Sequence, residues 1–331
     1  MNSAFFKIFG DYQETSVRYD AEYQAVWCHY KPGSNPYFSL TVLQELRQTQ
    51  QNIIDYFDTR KTDSDPPIRY VILHSQVSGV FSLGGDLALF SRLIKEKKRG
   101  QLLDYARKCI DVCYLFNVSM HLPITTISIV EGLALGGGFE SALSSNILIA
   151  TENAEMGFPE IRFNLFPGMG AYSLLTRMCG MVTAERMVTS GATYSGKELY
   201  EMGIVHHLAE IDKGQEGVRK FIRQHQRLGN GRRGIQQVRQ CYLPIEYQEL
   251  ADITEIWVDT AMRLESKDLQ LIDRLVAAQF KRITKQENIS LMRAEQDRRF
   301  TVGEITFPLT DWSGKKVMFD RRKSQERRLF H

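Results

Sequence analysis

Three consecutive glycines, Gly136, Gly137 and Gly138, stand between a strand-like apolar run and a helical pattern that we expect to begin near Phe139. Without side chains, such a turn lets a ligand approach the backbone closely, and the first turn of the helix offers free N–H groups at the positive end of its dipole. The turn is therefore suited to an oxyanion or a phosphate. Tight packing of the helix on the strand is the alternative, since it needs the same glycines.

Nucleotide sites are the competing interpretation of glycine-rich turns. Gly132 and the three consecutive glycines do not give the G-x-G-x-x-G spacing of a dinucleotide site. Residues 191–197 (GATYSGK) fit a P-loop until Glu198 takes the position of the Ser or Thr that binds magnesium. Within that segment, Ser195 is better interpreted as a helix N-cap. We therefore predict no nucleotide hydrolysis.

The histidines and cysteines that could carry chemistry do not indicate a metal-binding site. His206 and His207 are adjacent in a strand-like run, so they point to opposite faces and cannot bind one metal ion together. Only two of the five cysteines lie close together, four residues apart on one predicted helix face, and no second pair of metal ligands follows. The cysteines are Cys28, Cys109, Cys113, Cys179 and Cys241. We expect them to pack in the core, and we predict no metal and no cofactor.

The glycine-rich segment is the second of three that follow one another along the chain. Residues 78–87 (SGVFSLGGDL) form an earlier strand and glycine turn, and residues 154–171 (AEMGFPEIRFNLFPGMGA) form the third segment. Together the three resemble the signature of the crotonase superfamily, which contains the enoyl-CoA hydratases and isomerases. The resemblance covers roughly residues 20–215. It implies an α/β fold built as a spiral of ββα units.

The resemblance also implies roles for four residues. In this superfamily two backbone N–H groups bind the oxygen of an acyl thioester, and the matching positions here are Gly85 and Gly137. The two catalytic glutamates are matched by Glu140 and by Glu160, twenty residues later (160 − 140). Some isomerases of the superfamily lack the first glutamate. The presence of both therefore favours hydration, dehydration or hydrolysis over isomerisation.

The chemistry of an acyl thioester agrees with these roles. An α-proton beside the carbonyl becomes removable when fixed donors meet the negative charge that develops on the oxygen, an effect worth a few kcal/mol per donor. Loss of the hydroxyl from a 3-hydroxyacyl chain also requires a proton for the departing oxygen. Two carboxyl groups can divide these tasks when burial separates their pKa values. No G-x-S-x-G motif occurs, so cleavage of the thioester would have to use activated water.

Residues 163–173 (FNLFPGMGAYS) depart from the Gly-Gly-Thr-like continuation of common hydratases. This segment, the long N-terminal extension and the helical tail resemble the diffusible-signal-factor synthases of bacterial quorum sensing. That resemblance implies dehydration of a 3-hydroxyacyl chain on acyl carrier protein and release of a free cis-2-unsaturated fatty acid. It also implies an apolar acyl tunnel lined by Leu135, Met169, Trp257 and Leu275, although a Trp at helical spacing is otherwise a typical core residue.

Two other functions stay open. An ordinary enoyl-CoA hydratase of fatty-acid metabolism would act on a CoA thioester and release no free acid. A binding protein could use the same fold to restrain a partner such as the receiver domain of a sensor kinase. In each case we expect a homo-oligomer, a trimer or a multiple of it.

The elements that position these segments alternate along the first two thirds of the chain. Strand-like runs, several of them separated by helical patterns, lie at residues 25–30, 69–74, 125–130 and 146–151. Such alternation predicts an α/β core. After about residue 215 the pattern is almost wholly helical. We therefore expect a core in residues 1–215, with an N-terminal extension, and a helical region in residues 216–331 that caps the acyl site and supports oligomerisation.

Composition excludes several classes of protein. The 331 residues carry 42 Lys and Arg against 39 Asp and Glu, a net charge of +3 that gives no electrostatic indication of nucleic-acid binding. Residues 281–331 hold thirteen basic and seven acidic residues, which fits a solvated face or a surface for an acidic partner. No apolar run approaches the ~18 residues of a membrane span, and Asp11 and Glu14 interrupt the N-terminus before a signal sequence could form. We expect a cytoplasmic protein without membrane or nucleic-acid partners.

Overall fold

The computed structural model describes residues 3–60 and 67–278, together with two short strands at Leu309–Thr310 and Lys316–Val317. The chain divides into two compact units, Met1–Gln286 and Glu287–His331. In the second unit the two short strands pair antiparallel. The basic segment at residues 281–331 otherwise lies outside the described residues.

The strands described in the first unit belong to two sheets. They are β1 (Gly10–Asp11), β2 (Thr15–Asp20), β3 (Ala25–Tyr30), β4 (Tyr70–Ser75), β5 (Val80–Ser82), β6 (Thr125–Val130), β7 (Leu133–Leu135), β8 (Ile147–Thr151), β9 (Glu155–Gly157), β10 (Thr193–Ser195) and β11 (His207–Ala209). The larger sheet has the order β1-β2-β3-β4-β6-β8-β11 and is parallel from β3 onward. The smaller sheet has the order β10-β9-β7-β5. Each of the four strand-like runs predicted from the sequence is confirmed to within one residue at each end.

The parallel strands read as continuous apolar runs because both faces of the larger sheet are covered. Every residue of β3 and β4 is buried, as are all but the first residue of β6. Such runs are typical of parallel sheets between two layers, whereas a half-exposed sheet shows alternation. One face packs on helices and the smaller sheet, and the other packs on a helix near residue 220.

Helices connect and cover these strands. They are α1 (Ser3–Lys7), α2 (Leu40–Thr59), α3 (Leu87–Lys95), α4 (Arg99–Asn117), α5 (Gly137–Leu143), α6 (Ala171–Cys179), α7 (Met181–Ser190), α8 (Gly196–Glu201), α9 (Gly214–His225), α10 (Gly229–Tyr242) and α11 (Tyr247–Ala261). Residues 266–278 are also helical. Ser195 caps α8 and forms a capping box with Glu198, as the sequence predicts. Within the described residues, no helix is long and apolar enough to cross a membrane.

Three successive strand pairs carry the spiral. β4 and β5 lead into α3 and α4, β6 and β7 lead into α5, and β8 and β9 lead into a short 3₁₀ turn at Glu160–Phe163 followed by α6. In each pair the first strand joins the larger sheet and the second joins the smaller sheet. The predicted α/β spiral of ββα units with a helical C-terminal region is thereby confirmed. Because β5, β7 and β9 are neighbours in one sheet, the turns that follow them meet in space.

Candidate active site

A cavity of about 330 Å³ lies where these turns meet helix α4 and the C-terminal helices. All eight residues that the sequence analysis assigned to the site line this cavity, although they come from positions 85 to 275 of the chain. They are Gly85, Leu135, Gly137, Glu140, Glu160, Met169, Trp257 and Leu275. The structure therefore brings the expected residues together, and their roles follow from the surroundings of each one.

Each of the three consecutive glycines meets a different neighbour. Gly136 has φ +53°, and a β-carbon there would collide with Oε1 of Glu160. A β-carbon on Gly137 would lie 2.6 Å from Sδ of Met169, and one on Gly138 would collide with the carbonyl oxygen of Ser82. Gly138 therefore permits close packing, as one interpretation expects, and the other two glycines border the cavity, where binding of an oxyanion stays a prediction. Helix α5 begins at Gly137, two residues before the position expected from the sequence.

The two proposed oxyanion donors are close neighbours. Gly84, with φ +89°, turns the chain after β5, and a β-carbon there would lie 3.0 Å from the nitrogen of Gly137. A β-carbon built on Gly137 would in turn lie 3.4 Å from the nitrogen of Gly85. Neither the Gly85 nor the Gly137 N–H donates a hydrogen bond to any acceptor among the described residues. The two amides can therefore bind one oxygen atom of a ligand.

Tyr105 fixes the turn that carries the first of these amides. Its hydroxyl donates to the carbonyl oxygen of Phe38 at 2.6 Å and accepts from the backbone N–H of Asp86 at 2.9 Å. Asp86 also caps helix α3 by accepting from the N–H of Leu89. These two bonds hold the backbone on the C-terminal side of Gly85, which itself lines the cavity. Nothing in the sequence pattern singled out this tyrosine.

Glu140 is buried on α5 with its charge partly stabilised. Its Oε1 accepts hydrogen bonds from the backbone N–H groups of Met169 at 2.7 Å and Ala171 at 2.9 Å. Burial raises the pKa of this carboxyl to about 7, although these backbone donors act in the opposite direction. Gly170, which lies between the two donors, has φ +114° and makes this turn around the carboxyl possible. Glu140 is therefore poised to exchange a proton near neutral pH.

Glu160 lies at the start of the 3₁₀ turn, across the cavity from Glu140. Its carboxyl group accepts fewer hydrogen bonds. The residue as a whole is partly exposed, whereas its Oε2 atom is buried and has no hydrogen-bond partner among the described residues. Burial, and then the charge of Glu140, raises the pKa of this carboxyl to about 8. A carboxyl oxygen without donors favours the protonated form. Both carboxyl groups of the pair therefore hold a proton more readily than an exposed glutamate does.

Aromatic side chains close the apolar side of the cavity. The ring of Phe90 contacts Tyr105 at a centroid distance of 5.3 Å and Trp257 at 5.1 Å, both edge to face. Gly168 lies directly under the indole of Trp257, where a β-carbon would collide with the ring. Ala106 and Cys109 of α4 complete this side with small groups. These residues form an apolar space next to the two carboxyl groups.

A cysteine and two histidines that could carry chemistry are instead buried, hydrogen-bonded to the backbone or packed against other side chains. Cys109 lines the cavity, but burial raises the pKa of its thiol to about 12, so it is not a thiolate. Nδ1 of His206 accepts from the backbone N–H of Leu148, and the ring of His207 packs on Phe221. Among the described residues, no group of three or more His, Cys, Asp or Glu is arranged to hold a metal ion.

Comparison with known proteins gives consistent results. Residues 46–243 match the model of the enoyl-CoA hydratase/isomerase family. Human mitochondrial methylglutaconyl-CoA hydratase is 34% identical over 154 residues, which are 46% of this chain and 43% of that protein. The chain spans about half the length of the curated relatives it matches.

Solved structures share the fold at low sequence identity. A putative enoyl-CoA hydratase from Streptomyces avermitilis superposes with a TM-score of 0.61 at 18% identity, covering 80% of this chain and 90% of that one. DspI from Pseudomonas aeruginosa gives a TM-score of 0.58 at 21% identity, covering 76% and 96%. At these identities the likeness concerns the fold alone.

Proposed function

Because the chain belongs to the enoyl-CoA hydratase/isomerase family, we propose that it dehydrates a 3-hydroxyacyl thioester carried on acyl carrier protein and then hydrolyses the thioester. The product is a free cis-2-unsaturated fatty acid of the kind used as a quorum-sensing signal. The family match supports hydratase-type chemistry. The carrier protein, the cleavage step and the signalling role rest on the proposal alone.

One observation carries the proposal: two buried carboxyl groups with different surroundings border the same cavity as two unused amide N–H groups. Glu140 holds two backbone hydrogen bonds, whereas Oε2 of Glu160 holds none. The amides of Gly85 and Gly137 supply the fixed donors that an enolate oxygen requires. A site that only bound an anion would have no use for two carboxyl groups beside those amides.

Dehydration needs one proton removed and one delivered. With the thioester oxygen on the two amides, one carboxylate takes the α-proton and the electron pair moves onto that oxygen. The electron pair then returns to form the double bond as the C3 hydroxyl leaves, protonated by the other carboxyl as water. Burial raises the pKa of both carboxyl groups toward neutral pH, so one protonated and one ionised carboxyl group can serve as the acid and the base.

The second step is addition of water to the thioester carbonyl. A carboxylate takes a proton from water, the hydroxide oxygen bonds to the carbonyl carbon, and the tetrahedral oxyanion sits on the same two amides. Collapse of this intermediate breaks the carbon–sulfur bond, and the thiol leaves with a proton. An acyl-enzyme is not part of this route, because the cavity cysteine is a buried thiol whose pKa burial raises to about 12.

The apolar wall supports a fatty acyl substrate. Phe90, Trp257 and Leu275 lie on the side of the cavity where the chain beyond C3 would extend. Burial of each methylene against such a wall contributes ~0.8 kcal/mol to binding. A medium-length acyl chain therefore gains much of its affinity there, and the two amides fix the thioester end.

The test is product analysis in labelled water. Purified full-length protein is incubated with 3-hydroxyacyl chains on acyl carrier protein in H₂¹⁸O, and mass spectrometry follows both thioester and acid. We expect a cis-2-enoic acid that carries one ¹⁸O in its carboxyl group. If an enoyl thioester forms without free acid, the dehydratase activity is supported and the cleavage step is excluded. An acyl group trapped on a side chain would contradict the direct attack of water.

A second candidate is hydration of an enoyl-CoA whose acyl chain carries a carboxylate, and Arg162 favours it. This arginine lines the cavity two residues after Glu160 and forms no ion pair with any described residue. A guanidinium at that position could pair with a distal carboxylate, and the 34% identical relative is named methylglutaconyl-CoA hydratase. Comparing parent and Arg162→Gln on crotonyl-CoA and glutaconyl-CoA tests this: a loss confined to glutaconyl-CoA supports the second candidate, and equal effects on both substrates exclude it.

A further inference from the structure

A second cavity, of about 210 Å³, lies at the opposite ends of the parallel strands from the acyl site. Its walls are the first residues of β4, β6 and β8, the end of α9 and one face of α10. It shares no lining residue with the acyl cavity. Among its described lining residues there is no Asp or Glu, whereas five are basic or titrate to a cation: Arg69, His225, Arg232, Arg233 and Arg239.

The arginines line the cavity together with two buried aromatic side chains, Tyr70 and Phe221. The charges of Arg69, Arg232 and Arg233 all act on the hydroxyl of Tyr70 and lower its pKa, against the larger opposing effect of burial. The guanidinium carbon of Arg232 lies 5.2 Å from the centre of the Phe221 ring. Tyr70 and Phe221 therefore form the floor of a cavity whose rim is cationic.

The wall that carries these charges is held in place by a buried network. The side-chain amide of Gln236 on α10 donates to Oγ of Ser119 at 2.7 Å and to Oδ1 of Asn146 at 2.9 Å. Nη1 of Arg239 donates to the carbonyl oxygen of Asn146 at 3.4 Å. These bonds tie α10 to the start of β8, so the arginines of α10 are kept beside Arg69.

The described lining of the cavity places no carboxylate against these arginines, of which Arg232 is half-buried and the others are exposed. None of Arg69, Arg232, Arg233 and Arg239 forms an ion pair within the described chain, whereas other arginines do, as Arg99 shows. Burial lowers the pKa of Arg232, which reflects the desolvation of a charge without a carboxylate partner. Like charges around a concave space repel each other. An anion bound there would be attracted to each of them and would offset that repulsion.

We propose that this cationic cavity is a second binding site, for a small anion that carries a phosphate group. The planar guanidinium groups match the geometry of phosphate oxygens, and the cavity is large enough for one or two phosphates but small for a long acyl chain. The phosphate can come from the free inorganic ion or from a phosphate monoester. The aromatic floor of Tyr70 and Phe221 suits a monoester with a flat organic part.

The test is calorimetric titration of the full-length protein with inorganic phosphate, pyrophosphate and AMP, at one pH and one ionic strength. We expect one saturable site that binds pyrophosphate more tightly than inorganic phosphate. If the ligand is a phosphate monoester, AMP should bind more tightly than both. The variant Arg232→Gln/Arg233→Gln should bind at least about tenfold more weakly. The matched control Arg186→Gln/Arg227→Gln removes two exposed charges that do not line the cavity, and it should bind as the parent does.

Thermal unfolding is the fold control for every variant. If the double variant is unfolded, Arg69→Gln, directly before β4, replaces it in the titration. Absence of a saturable site in the parent, or equal affinity in the parent and the cavity variants, would overturn the proposal. Because the titration does not depend on turnover, its outcome is separate from that of the proposed acyl-thioester chemistry.

Discussion

The acyl cavity has two walls that are built in different ways. One wall is mainly backbone turns: those after β5 and β7 place two amides and Glu140, and the 3₁₀ turn after β9 places Glu160. A β-carbon at Gly136 or Gly137 would meet Glu160 or Met169. The other wall is side chain: Trp257 of α11 and Leu275 of residues 266–278 cover the apolar side. Because the two walls are built differently, we expect that the reaction and the choice of acyl chain can change separately. Substitutions on the first wall should alter turnover, and those on the second should alter chain-length preference.

The forces that hold the two walls differ as well. The catalytic wall is fixed by buried hydrogen bonds, such as those from Met169 and Ala171 to Glu140. The helical wall is fixed to α4 by apolar packing of residues such as Trp257, and by ion pairs whose side chains are largely exposed. Buried hydrogen bonds to a charged group contribute ~1.5–3 kcal/mol, whereas exposed ion pairs contribute ~0–1 kcal/mol. Substitutions in each wall can test whether the hydrogen-bonded wall is held more firmly than the helical wall.

The largest effect is expected for Glu160→Gln. The amide keeps the shape of the carboxyl but can neither give nor take the proton, so turnover of 3-hydroxyacyl substrate should fall by ~10²–10⁴-fold. Steady-state kinetics measures this, with thermal unfolding as the check on folding. The matched control is Glu155→Gln, because Glu155 lines the same cavity but is exposed, and it should retain most activity. Parent-like turnover in Glu160→Gln would remove this residue from the mechanism.

The contrast between the walls also explains what could be predicted from the sequence. Gly85, Gly137, Glu140 and Glu160 could be expected at one cavity because the segments that carry them resemble the signature of a known superfamily, and their roles stay predictions. Tyr105 could not, because its role depends on the carbonyl of Phe38, which lies 67 residues away in the chain. Spacing within one helix shows which face is buried, but not which distant backbone group a hydroxyl will meet.

The fold shows the same division. Continuous apolar runs predict the buried parallel strands, since covering both faces of a sheet leaves a direct mark on the sequence. The start of α5 was expected two residues late, because a helix that begins on glycines lacks the usual capping side chain. The cationic cavity was not foreseen either. Its arginines come from residue 69 and from α10, and only the fold brings these segments together.

The second-largest effect on turnover is expected for Tyr105→Phe. Loss of the hydroxyl leaves the carbonyl of Phe38 and the N–H of Asp86 without their shared partner, at a cost of ~1–3 kcal/mol. If the Gly85 turn shifts as a result, kcat should fall by about tenfold while KM changes little, because the donor acts mainly on the developing oxyanion. Tyr114→Phe is the control, since it removes a hydroxyl from the same helix away from this turn. An unchanged kcat would show that the turn holds its shape without Tyr105.

A change in acyl-chain preference is expected for Trp257→Leu. A smaller side chain on the helical wall should admit a longer chain, and each methylene that gains contact is worth ~0.8 kcal/mol, so the optimum should move by a few carbons. Specificity constants across a series of 3-hydroxyacyl chain lengths measure this once equal thermal stability is confirmed. Ile256→Ala, on the exposed side of the same helix, is the control. An unchanged length profile in the stable variant would make Trp257 a core residue and place the chain elsewhere.

Met169→Ala examines a residue that touches both walls. Its Sδ lies against Gly137, while its backbone N–H binds Glu140 and would remain in the variant. We expect the length optimum to move as in Trp257→Leu, together with a small fall in kcat, because the contact with the oxyanion turn is lost. A change in kcat alone would assign Met169 to the catalytic wall.

The dependence of stability on pH should reveal the buried acid directly. The folded-state pKa of Glu160 is raised to about 8, above its ordinary value near 4.5, so the protonated form stabilises the fold at low pH. That contribution is lost as pH rises through about 8, and a glutamine, always neutral, does not lose it. The melting temperature of Glu160→Gln should therefore rise relative to the parent by at least about 2 °C between acidic and alkaline pH. A difference that stays constant with pH, or one shared by Glu155→Gln, would contradict the assignment.

The smallest effect is expected where the helical wall is joined to α4 by charge. Arg99 pairs with Glu255 and Asp259 of α11, each at 2.7 Å, yet its side chain is 43% exposed. Water and salt screen such pairs, so Arg99→Gln should lower the melting temperature only slightly, and the difference from the parent should shrink in ~1 M salt, where the screening length is about 3 Å.

The acyl-length profile of Arg99→Gln should match that of the parent, because apolar packing of Trp257 and its neighbours holds α11 in place. Thermal unfolding at low and high salt, combined with the specificity series, measures both quantities. Lys108→Gln is the control, since it removes an exposed charge from α4 that has no ion-pair partner among the described residues. A large fall in melting temperature or a shifted length profile in Arg99→Gln, with neither in the control, would show that ion pairs position this wall. The two walls would then differ in composition but not in how firmly they are held.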